Sequence, residues 1–158
     1  MQTNHKRGLA GIVGAAAATT LLIFVPSKEG TKYKTYRDMG GVLTYCTGAT
    51  EHARWGATYT PDQCRAQLDS DLAKAAEGVM RCIHVLLKDG EKIAYVDIAY
   101  NVGEAAFCNS TMARRVNAGD HVGACTALLM WDRIGTRVIR GLLNRREAER
   151  QFCMKGLQ

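Results

Sequence analysis

Uncharged positions run without interruption from Gly8 to Val25, directly after the basic cluster His5-Lys6-Arg7. A basic cluster followed by an apolar stretch is typical of a segment that is recognised for export. A cleavable signal would carry a small-x-small site just beyond the stretch, but Val25-Pro26-Ser27-Lys28-Glu29 offers none. We therefore predict that residues 1–25 are a retained signal-anchor segment and that residues 26–158 form one folded domain.

The apolar stretch is only weakly suited to a bilayer. As one helix, its 18 residues would be roughly 27 Å long, against a hydrocarbon core of about 30 Å. Many of them are glycine, alanine or threonine, which contribute little to insertion. Lys6 and Arg7 favour an N-in, C-out orientation, with residues 26–158 outside the cytoplasm. The alternatives are an ordinary permanent anchor, a buried core helix, and a segment that enters the membrane and later leaves it.

Downstream of this stretch the pattern changes twice. Gly40-Gly41 separates two short β-prone runs, which predicts a β-hairpin within residues 26–48. Thr60, Pro61 and Gln63 then form a capping box, and the apolar residues that follow recur every three or four positions. This pattern predicts a long amphipathic helix.

The pattern in the C-terminal half of the chain predicts a mainly helical lobe. Residues 91–103 are apolar nearly all round, which indicates a buried central helix. Further helices are predicted from polar residues that can cap a first turn: Ser110 or Thr111, Asp120, and Asn144 with Glu147. The expected class is α+β, with a small hairpin lobe, a long helix leading from it, and a mainly helical lobe.

Charge and cysteine content narrow the class of partner and the compartment. The chain of 158 residues has a net charge of +6, which favours an anionic partner such as nucleic acid, a membrane or a cell-wall polymer. Export would remove it from host DNA, so we expect no nucleic-acid partner. All 6 cysteines follow the apolar stretch and none forms a C-x-x-C pair, which indicates disulfides in an oxidising compartment rather than a zinc ribbon. Buried free thiols are the alternative, and the pairing stays open.

Two carboxylates and a hydroxyl are candidates for glycosidic chemistry. Hydrolysis of a glycosidic bond needs an acid for the leaving oxygen and a second carboxylate to stabilise the sugar cation or to activate water. Glu29 follows the apolar stretch, Asp38 opens the predicted hairpin turn, and Thr44 follows on the hairpin, where its hydroxyl could orient a water. The spacing alone does not distinguish these residues from a pair of solvated surface carboxylates.

The sequence around these residues resembles the phage-type muramidases, the lysozymes of glycoside hydrolase family 24. The resemblance covers nearly all of residues 26–158 and implies a phage-type lysozyme fold without cofactor or metal. The motifs that carry it are Glu29-Gly30, Tyr36-Arg37-Asp38, Gly41-Val42-Leu43-Thr44, Tyr59-Thr60-Pro61, Ala99-Tyr100-Asn101-Val102-Gly103, Phe107-Cys108-Asn109-Ser110-Thr111, Trp131 and Gly141-Leu142-Leu143-Asn144-Arg145-Arg146.

The resemblance also implies roles for single residues. In that family the glutamate is the catalytic acid, the aspartate pairs with the attacking water and the threonine helps to hold that water. Those positions are Glu29, Asp38 and Thr44 here, and Arg145 would form a supporting ion pair with the acid. Two further residues look like substrate-binding residues of the cleft: Asn101 and Asn109.

The reaction implied is hydrolysis of the β-1,4 bond between N-acetylmuramic acid and N-acetylglucosamine in peptidoglycan. Family membership implies inversion, for which the two carboxyl groups stand ~6.5–9.5 Å apart. A lytic transglycosylase needs no water-activating carboxylate, so the presence of both Asp38 and Thr44 disfavours it. A non-enzymatic, membrane-anchored wall-polymer-binding protein is the alternative from another class. Where many members carry an aromatic and a histidine, this chain has Thr47 and Ala49.

Joined to residues 1–25, the resemblance narrows to the signal-anchor-release endolysins, which serve host cell lysis. At ~3.5 Å per extended residue, Glu29 would lie within roughly 14 Å of the bilayer edge while Val25 is in the membrane. We expect this tethered form in the host inner membrane to be inactive, and release to give an active, monomeric enzyme in the periplasm. Because Gly8 to Val25 contain no cysteine, release without thiol exchange is expected.

Overall fold

The computed structural model describes residues 7–158, so His5 and Lys6 of the basic cluster lie outside the described residues. This part of the chain has the predicted α+β class. The helices are α1 (Leu9–Val13), α2 (Ala15–Glu29), α3 (Pro61–Cys82), α4 (Asp89–Val102), α5 (Glu104–Cys108), α6 (Thr111–Asn117), α7 (His121–Ala127) and α8 (Arg140–Lys155), with a 3-10 turn at Leu128–Trp131. The strands are β1 (Lys32–Arg37), β2 (Leu43–Cys46), β3 (Arg133–Ile134) and β4 (Arg137–Val138).

The apolar N-terminal segment packs inside the protein as α1 and α2. Its core-facing side chains are almost completely buried and belong to the same cluster as those of α3, α4 and α8. These side chains are Leu9, Val13, Ala17, Ala18, Leu21 and Val25. Burying each of the leucines and valines stabilises the fold by about 1.5–3 kcal/mol relative to water. Helix α2 also runs across the expected boundary between residues 25 and 26 and ends at Glu29.

Gly14 interrupts the helix that residues 8–25 would form in a bilayer. Its φ of 93° and ψ of 157° lie in a region that only glycine adopts readily, and they separate α1 from α2. The break turns α1 against α3, where the Leu9 amide donates to the Asp69 carboxylate at 3.2 Å. Within residues 7–158, no helix combines the length and the apolar character needed to cross a membrane.

The predicted hairpin is β1 and β2, paired antiparallel with Tyr36 opposite Thr44. Its other edge is extended by an isolated bridge between Lys34 and Thr58. A disulfide between Cys46 and Cys64 joins the end of β2 to the first turn of α3. The hairpin lobe is therefore covalently fastened to the long helix.

The helical lobe follows the sequence prediction except for the unpredicted β3–β4 hairpin and the start of its last helix. Thr60 and Gln63 form the predicted capping box of α3, and Ser110 and Asp120 cap α6 and α7. The predicted capping box of Asn144 with Glu147 is wrong, because α8 begins at Arg140 and has Asn144 in its second turn. The β3–β4 hairpin decides this start, since the Ile139 amide closes it by donating to the Asp132 carbonyl at 2.8 Å.

The central helix α4 is held closely against α8. At Gly90, near the start of α4, an added Cβ would stand 2.1 Å from the Phe152 carbonyl oxygen, so only glycine permits this approach. A second disulfide, Cys125–Cys153, fastens α7 to α8, and a third, Cys82–Cys108, fastens α3 to α5. The cysteines thus form disulfides, as predicted, in a pairing that the sequence left open.

Candidate active site

Glu29 is the last residue of α2, where Gly30 ends the helix with a φ of 75°. Its side chain keeps 30% of its surface exposed, and its Oε1 accepts a hydrogen bond from Nη1 of Arg145 at 2.5 Å. These two residues are 116 positions apart in the chain. The contact is the ion pair that the resemblance implied, and it forms because α2 packs against the helical lobe.

An open cavity of about 400 Å³ lies beside Glu29. It combines the end of α2, the loop after β2, α3 and the end of α4. Its lining residues are Glu29, Gly48, Ala49, Thr50, Glu51, Asp71, Tyr100 and Asn101. The cavity therefore brings the predicted residues Glu29 and Asn101 to one place and adds two further carboxyl groups.

Beneath the cavity, Arg145 is enclosed by carboxyl groups. Its Nε and Nη2 donate to the two oxygens of Asp97 at 3.0 and 2.8 Å, and Asp97 is completely buried. Glu149, one turn along α8, lies 3.9 Å from Arg145 and 3.0 Å from Arg146. Arg146 in turn donates to the amide oxygen of Asn101 at 2.7 Å, which fixes that side chain at the cavity wall.

Burial and charge act in opposite directions within this cluster. Burial acts to raise the pKa of Asp97, but its hydrogen bonds with Arg145 and Glu149 outweigh burial and hold that pKa below its usual range. Burial, with Asp97 beside it, raises the pKa of Glu149 well above its usual range. Burial would lower the pKa of Arg145, but its bonds to Asp97 and Glu29 raise it overall. The pKa values of the two buried carboxyl groups are thus shifted in opposite directions, downward for Asp97 and upward for Glu149.

Asp38 and Thr44 both belong to the hairpin lobe, Asp38 at the start of the turn and Thr44 in β2. Oδ1 of Asp38 accepts hydrogen bonds from the amides of Gly40 and Val42, both at 2.9 Å, so the carboxylate is fixed by its own turn. Thr44 is buried, and its hydroxyl donates to the Val42 carbonyl at 3.0 Å. Neither side chain is among those that line the cavity beside Glu29.

Tyr100 joins the two lobes at the cavity. Its hydroxyl donates to the carbonyl of Thr47, in the loop after β2, and burial followed by the nearby Glu29 charge raises its pKa. Asp71 faces the same cavity from α3, accepts a bond from Gln67 at 3.0 Å and has a pKa that burial raises. Tyr100 therefore links α4 to the hairpin lobe, and Asp71 brings α3 to the same cavity.

Asn109 lies elsewhere. It lines a second hollow with Ser110, Thr111, Arg114, Met130 and Trp131. Its side-chain amide donates to the Ala105 carbonyl at 2.9 Å, one turn back in α5. In the structure, Asn109 therefore ends a helix and does not border the cavity of Glu29.

Sequence reasoning did not single out Asp97, Tyr100 and Asp71. All three lie in helical patterns that were interpreted as packing faces. A charged residue in the middle of the apolar run 91–103 was the available signal, because a buried carboxylate needs a partner.

Comparisons with known proteins point to one family. The family model described as phage lysozyme matches residues 26–149. The chain is 39% identical over 165 aligned residues to the SAR-endolysin of Enterobacteria phage P21, and the alignment covers 100% of both chains. It is also 39% identical to the SAR-endolysin of Bacteriophage PS119, over 92% of this chain and 90% of the relative.

Solved structures agree in fold. The muramidase domain of SpmX from Asticaccaulis excentricus superposes with a TM-score of 0.79 and 28% identity, covering 89% of this chain and 96% of that chain. A mutant lysozyme of phage P22 superposes with a TM-score of 0.77 and 27% identity, covering 89% of this chain and 97% of that chain.

Proposed function

Because the chain belongs to the phage lysozyme family, we propose that it is made as an inactive, membrane-tethered enzyme that becomes active when residues 8–25 leave the bilayer and pack as α1 and α2. It is a glycoside hydrolase of the lysozyme type, a muramidase endolysin that acts on peptidoglycan in cell lysis. The observation that carries the proposal is the ion pair between Glu29, at the end of α2, and Arg145 of α8.

Glu29 is the general acid in this proposal. Its side chain is partly exposed to an open cavity, where a sugar oxygen could approach it, and its other side is held by Arg145. Asp38, whose orientation is fixed by two backbone amides, is the carboxylate that activates water, and Thr44 supports that water from the hairpin. Asn101 binds substrate at the cavity wall, where Arg146 holds its amide.

Tethering inactivates the enzyme by removing Glu29 from this cluster. The side chains of α2 that enter the protein core are those that would face lipid in the anchored form: Ala17, Ala18, Leu21 and Val25. They cannot occupy both places, so Arg145 loses its partner on α2 as long as the segment stays in the membrane. Release exchanges lipid contacts for core contacts of similar apolar character, and the weak hydrophobicity of the segment makes that exchange accessible.

Loss of the membrane potential is the proposed trigger. In an N-in orientation, the membrane potential favours positive charge on the cytoplasmic side. The free-energy difference is about 2.3 kcal/mol per charge per 100 mV. Arg7, two residues before α1, is exposed in the packed form and lines a surface pocket with Asp69. Depolarisation removes the term that keeps such charge inside, and the segment then leaves towards the periplasm, where disulfides form.

The role of Glu29 as the acid is tested with Glu29→Gln, which keeps the shape of the side chain but cannot donate an acidic proton. We expect turbidity loss of permeabilised Gram-negative cells to be abolished, with thermal unfolding close to that of the wild type. Glu104→Gln is the matched control, because Glu104 is an exposed carboxylate in a surface pair with Arg81. Wild-type lysis by Glu29→Gln would exclude Glu29 as the acid.

The tether is tested by fractionating cells that express the exported full-length chain, with and without a membrane depolariser. We expect uncleaved chain in the membrane fraction with little wall-lysis activity, and active chain in the periplasmic fraction after depolarisation. Full activity in the membrane fraction would contradict inhibition by tethering. A shortened chain in the periplasm would contradict retention of the segment.

A further inference from the structure

We infer that Asp97 is a positioning residue, whose carboxylate aims the Arg145 guanidinium at Glu29 and balances its charge so that Glu29 can hold the proton it donates. The inference rests on the proposed role of Glu29 as general acid. Asp97 itself is completely buried on α4 and is not among the residues lining the cavity, so it acts only through Arg145.

The geometry of Arg145 carries the first half of this inference. The carboxylate of Asp97 accepts hydrogen bonds from Nε and Nη2 of Arg145 at 3.0 and 2.8 Å, and Glu29 accepts one from Nη1. A guanidinium is planar, so a carboxylate that binds two of its nitrogens fixes the plane of the group. The direction of Nη1, and therefore the place at which Glu29 is held, follows from the position of Asp97.

Contacts of α4 on both sides of Asp97 fix the position of this residue relative to α8. Two turns before Asp97, Gly90 allows α4 to lie directly against the backbone of α8 at Phe152. One turn after Asp97, Asn101 accepts a hydrogen bond from Arg146, the residue next to Arg145. The face of α4 that carries Asp97 is thus joined to α8 on both sides of the Arg145 contact.

Charge balance carries the second half. Several titratable groups surround Glu29 and Asp97: Arg145, Arg146 and Glu149 of α8, Tyr100 of α4, Asp71 of α3, and Glu51 of the loop after β2. Arg145 is the cation in direct contact with Glu29, and a neighbouring cation favours the ionised form of a carboxyl group. A general acid must carry a proton before it can donate it. The positive charge of Arg145 must therefore be compensated by a negative group on the side of Arg145 that faces away from Glu29.

Asp97 supplies that compensation, and Glu149 does not. Hydrogen bonds with Arg145 and Glu149 keep the pKa of Asp97 low despite its burial, whereas burial and Asp97 raise the pKa of Glu149 well above its usual range. The two buried carboxyl groups also differ in geometry, since Asp97 binds two nitrogens of Arg145 at 3.0 and 2.8 Å whereas Glu149 lies 3.9 Å from that side chain. This difference provides a matched pair of substitutions.

The test compares Asp97→Asn with Glu149→Gln in the released full-length chain. Each removes one carboxyl group from the same cluster, but only the first removes the carboxylate that binds two nitrogens of Arg145. Lysis rates of permeabilised cells are measured from acid to alkaline pH, with thermal unfolding as the control for folding. For Asp97→Asn we expect the alkaline limb of the rate profile to move to lower pH by about half a unit or more. For Glu149→Gln we expect the alkaline limb of the rate profile to stay at its wild-type pH.

Two results would overturn the inference. One is a wild-type pH profile for folded Asp97→Asn, and the other is the same displacement in both variants, which would indicate a general disturbance of the cluster. If Asp97→Asn does not fold, Asp97→Glu decides. It keeps the charge and lengthens the side chain, so we expect a lower kcat at an unchanged alkaline limb, and a wild-type kcat contradicts the positioning role.

Failure of the inference is separable from failure of the proposed function. If Glu29→Gln retains lysis, Glu29 is not the acid and the proposed function fails whatever Asp97 does. If Glu29→Gln abolishes lysis while folded Asp97→Asn keeps the wild-type profile, only the role of Asp97 is lost.

Discussion

The two regions that carry the candidate catalytic residues are held together in different ways. On the hairpin, Asp38 and Thr44 are fixed by bonds to Gly40 and Val42, which are at most four positions away in the chain. At the end of α2, Glu29 is fixed by Arg145, 116 positions away. The first region is local and is fastened to α3 by a disulfide, whereas the second exists only while distant helices are packed.

This difference shows where control can act. A hairpin whose bonds are local keeps its geometry whether the N-terminal segment is in lipid or in the protein core. The contact between Glu29 and Arg145 does not, because α2 is formed by the segment itself. Under the proposed tethering, control by the membrane would act on the position of Glu29 and would leave the geometry of the hairpin unchanged.

Arg145→Met removes the centre of the long-range region. It leaves the buried carboxylate of Asp97 without its cation, which is expected to lower the free energy of unfolding by about 3–5 kcal/mol. Lysis should fall with it, because Glu29 loses its partner. Chemical denaturation and turbidity assays measure both. Arg140→Met, at the exposed start of the same helix, is the control, and an equal loss there would contradict the prediction.

Leu21→Ala tests whether packing of α2 supports the site. Leu21 is completely buried, so its truncation is expected to lower the free energy of unfolding by about 2–5 kcal/mol. Hydrogen exchange should increase in α2 while the amides of Gly40 and Val42 keep their protection. Ile23→Ala is the control, because Ile23 is 66% exposed on the same helix. Increased exchange in the hairpin of Leu21→Ala would show that the two regions are coupled.

Gly14→Ala is expected to act in opposite directions on the two states of the segment. In the packed form it forces a φ of 93° on alanine, at a cost of about 1–3 kcal/mol. In a continuous membrane helix, alanine is more favourable than glycine by about 1 kcal/mol. Release from membranes should therefore decrease, as measured by fractionation. In Gly11→Ala the added Cβ makes only an ordinary contact with Arg7, so this control should release normally.

Asp71→Asn addresses the wall of the cavity between the two regions. Burial raises the pKa of Asp71 in the folded state above its unfolded value of about 3.9. Its contribution to stability is therefore full below pH ~3.9 and is lost as the pH rises through the raised folded value. Asp71→Asn should remove this loss, so that the variant gains stability relative to wild type from acid to neutral pH. Parallel pH dependences of the unfolding free energy would contradict the assignment.

Asp38→Asn should have the smallest effect on stability. The amide oxygen of asparagine can still accept the bonds from Gly40 and Val42, so a change of less than about 0.5 kcal/mol is expected. Lysis should nevertheless be lost if Asp38 activates water. A folded Asp38→Asn with wild-type lysis would remove the hairpin region from the catalytic proposal.

Elements with a local signal were predicted well from the sequence. The capping box of Thr60 predicted the start of α3, and Gly40-Gly41 predicted the turn of the hairpin, because in both places the deciding contacts are between near neighbours. The start of α8 was predicted wrongly at Asn144. There the closure of the β3–β4 hairpin starts the helix about one turn earlier, at Arg140. Capping residues in the sequence give no information about this closure.

The candidate site divides in the same way. The roles of Glu29, Asp38 and Thr44 came from the resemblance and stay predictions, and the contact of Glu29 with Arg145 was expected on the same ground. Asp97 was not found, since α4 reads as a packing helix and its partner lies 48 positions away. Pairing of the cysteines depends likewise on which helices meet, and spacing along the chain does not determine that.

Leu21 and its neighbours on α2 also predict how sequences of this kind can vary. If the segment enters the membrane before it packs, as proposed, a core-facing position must suit a lipid environment first and a fitted protein interior afterwards, so that two independent selections act on one side chain. Ile23, exposed once the helix is packed, has to satisfy only the first. A library of random substitutions should therefore return a narrower set of functional residues at position 21 than at position 23.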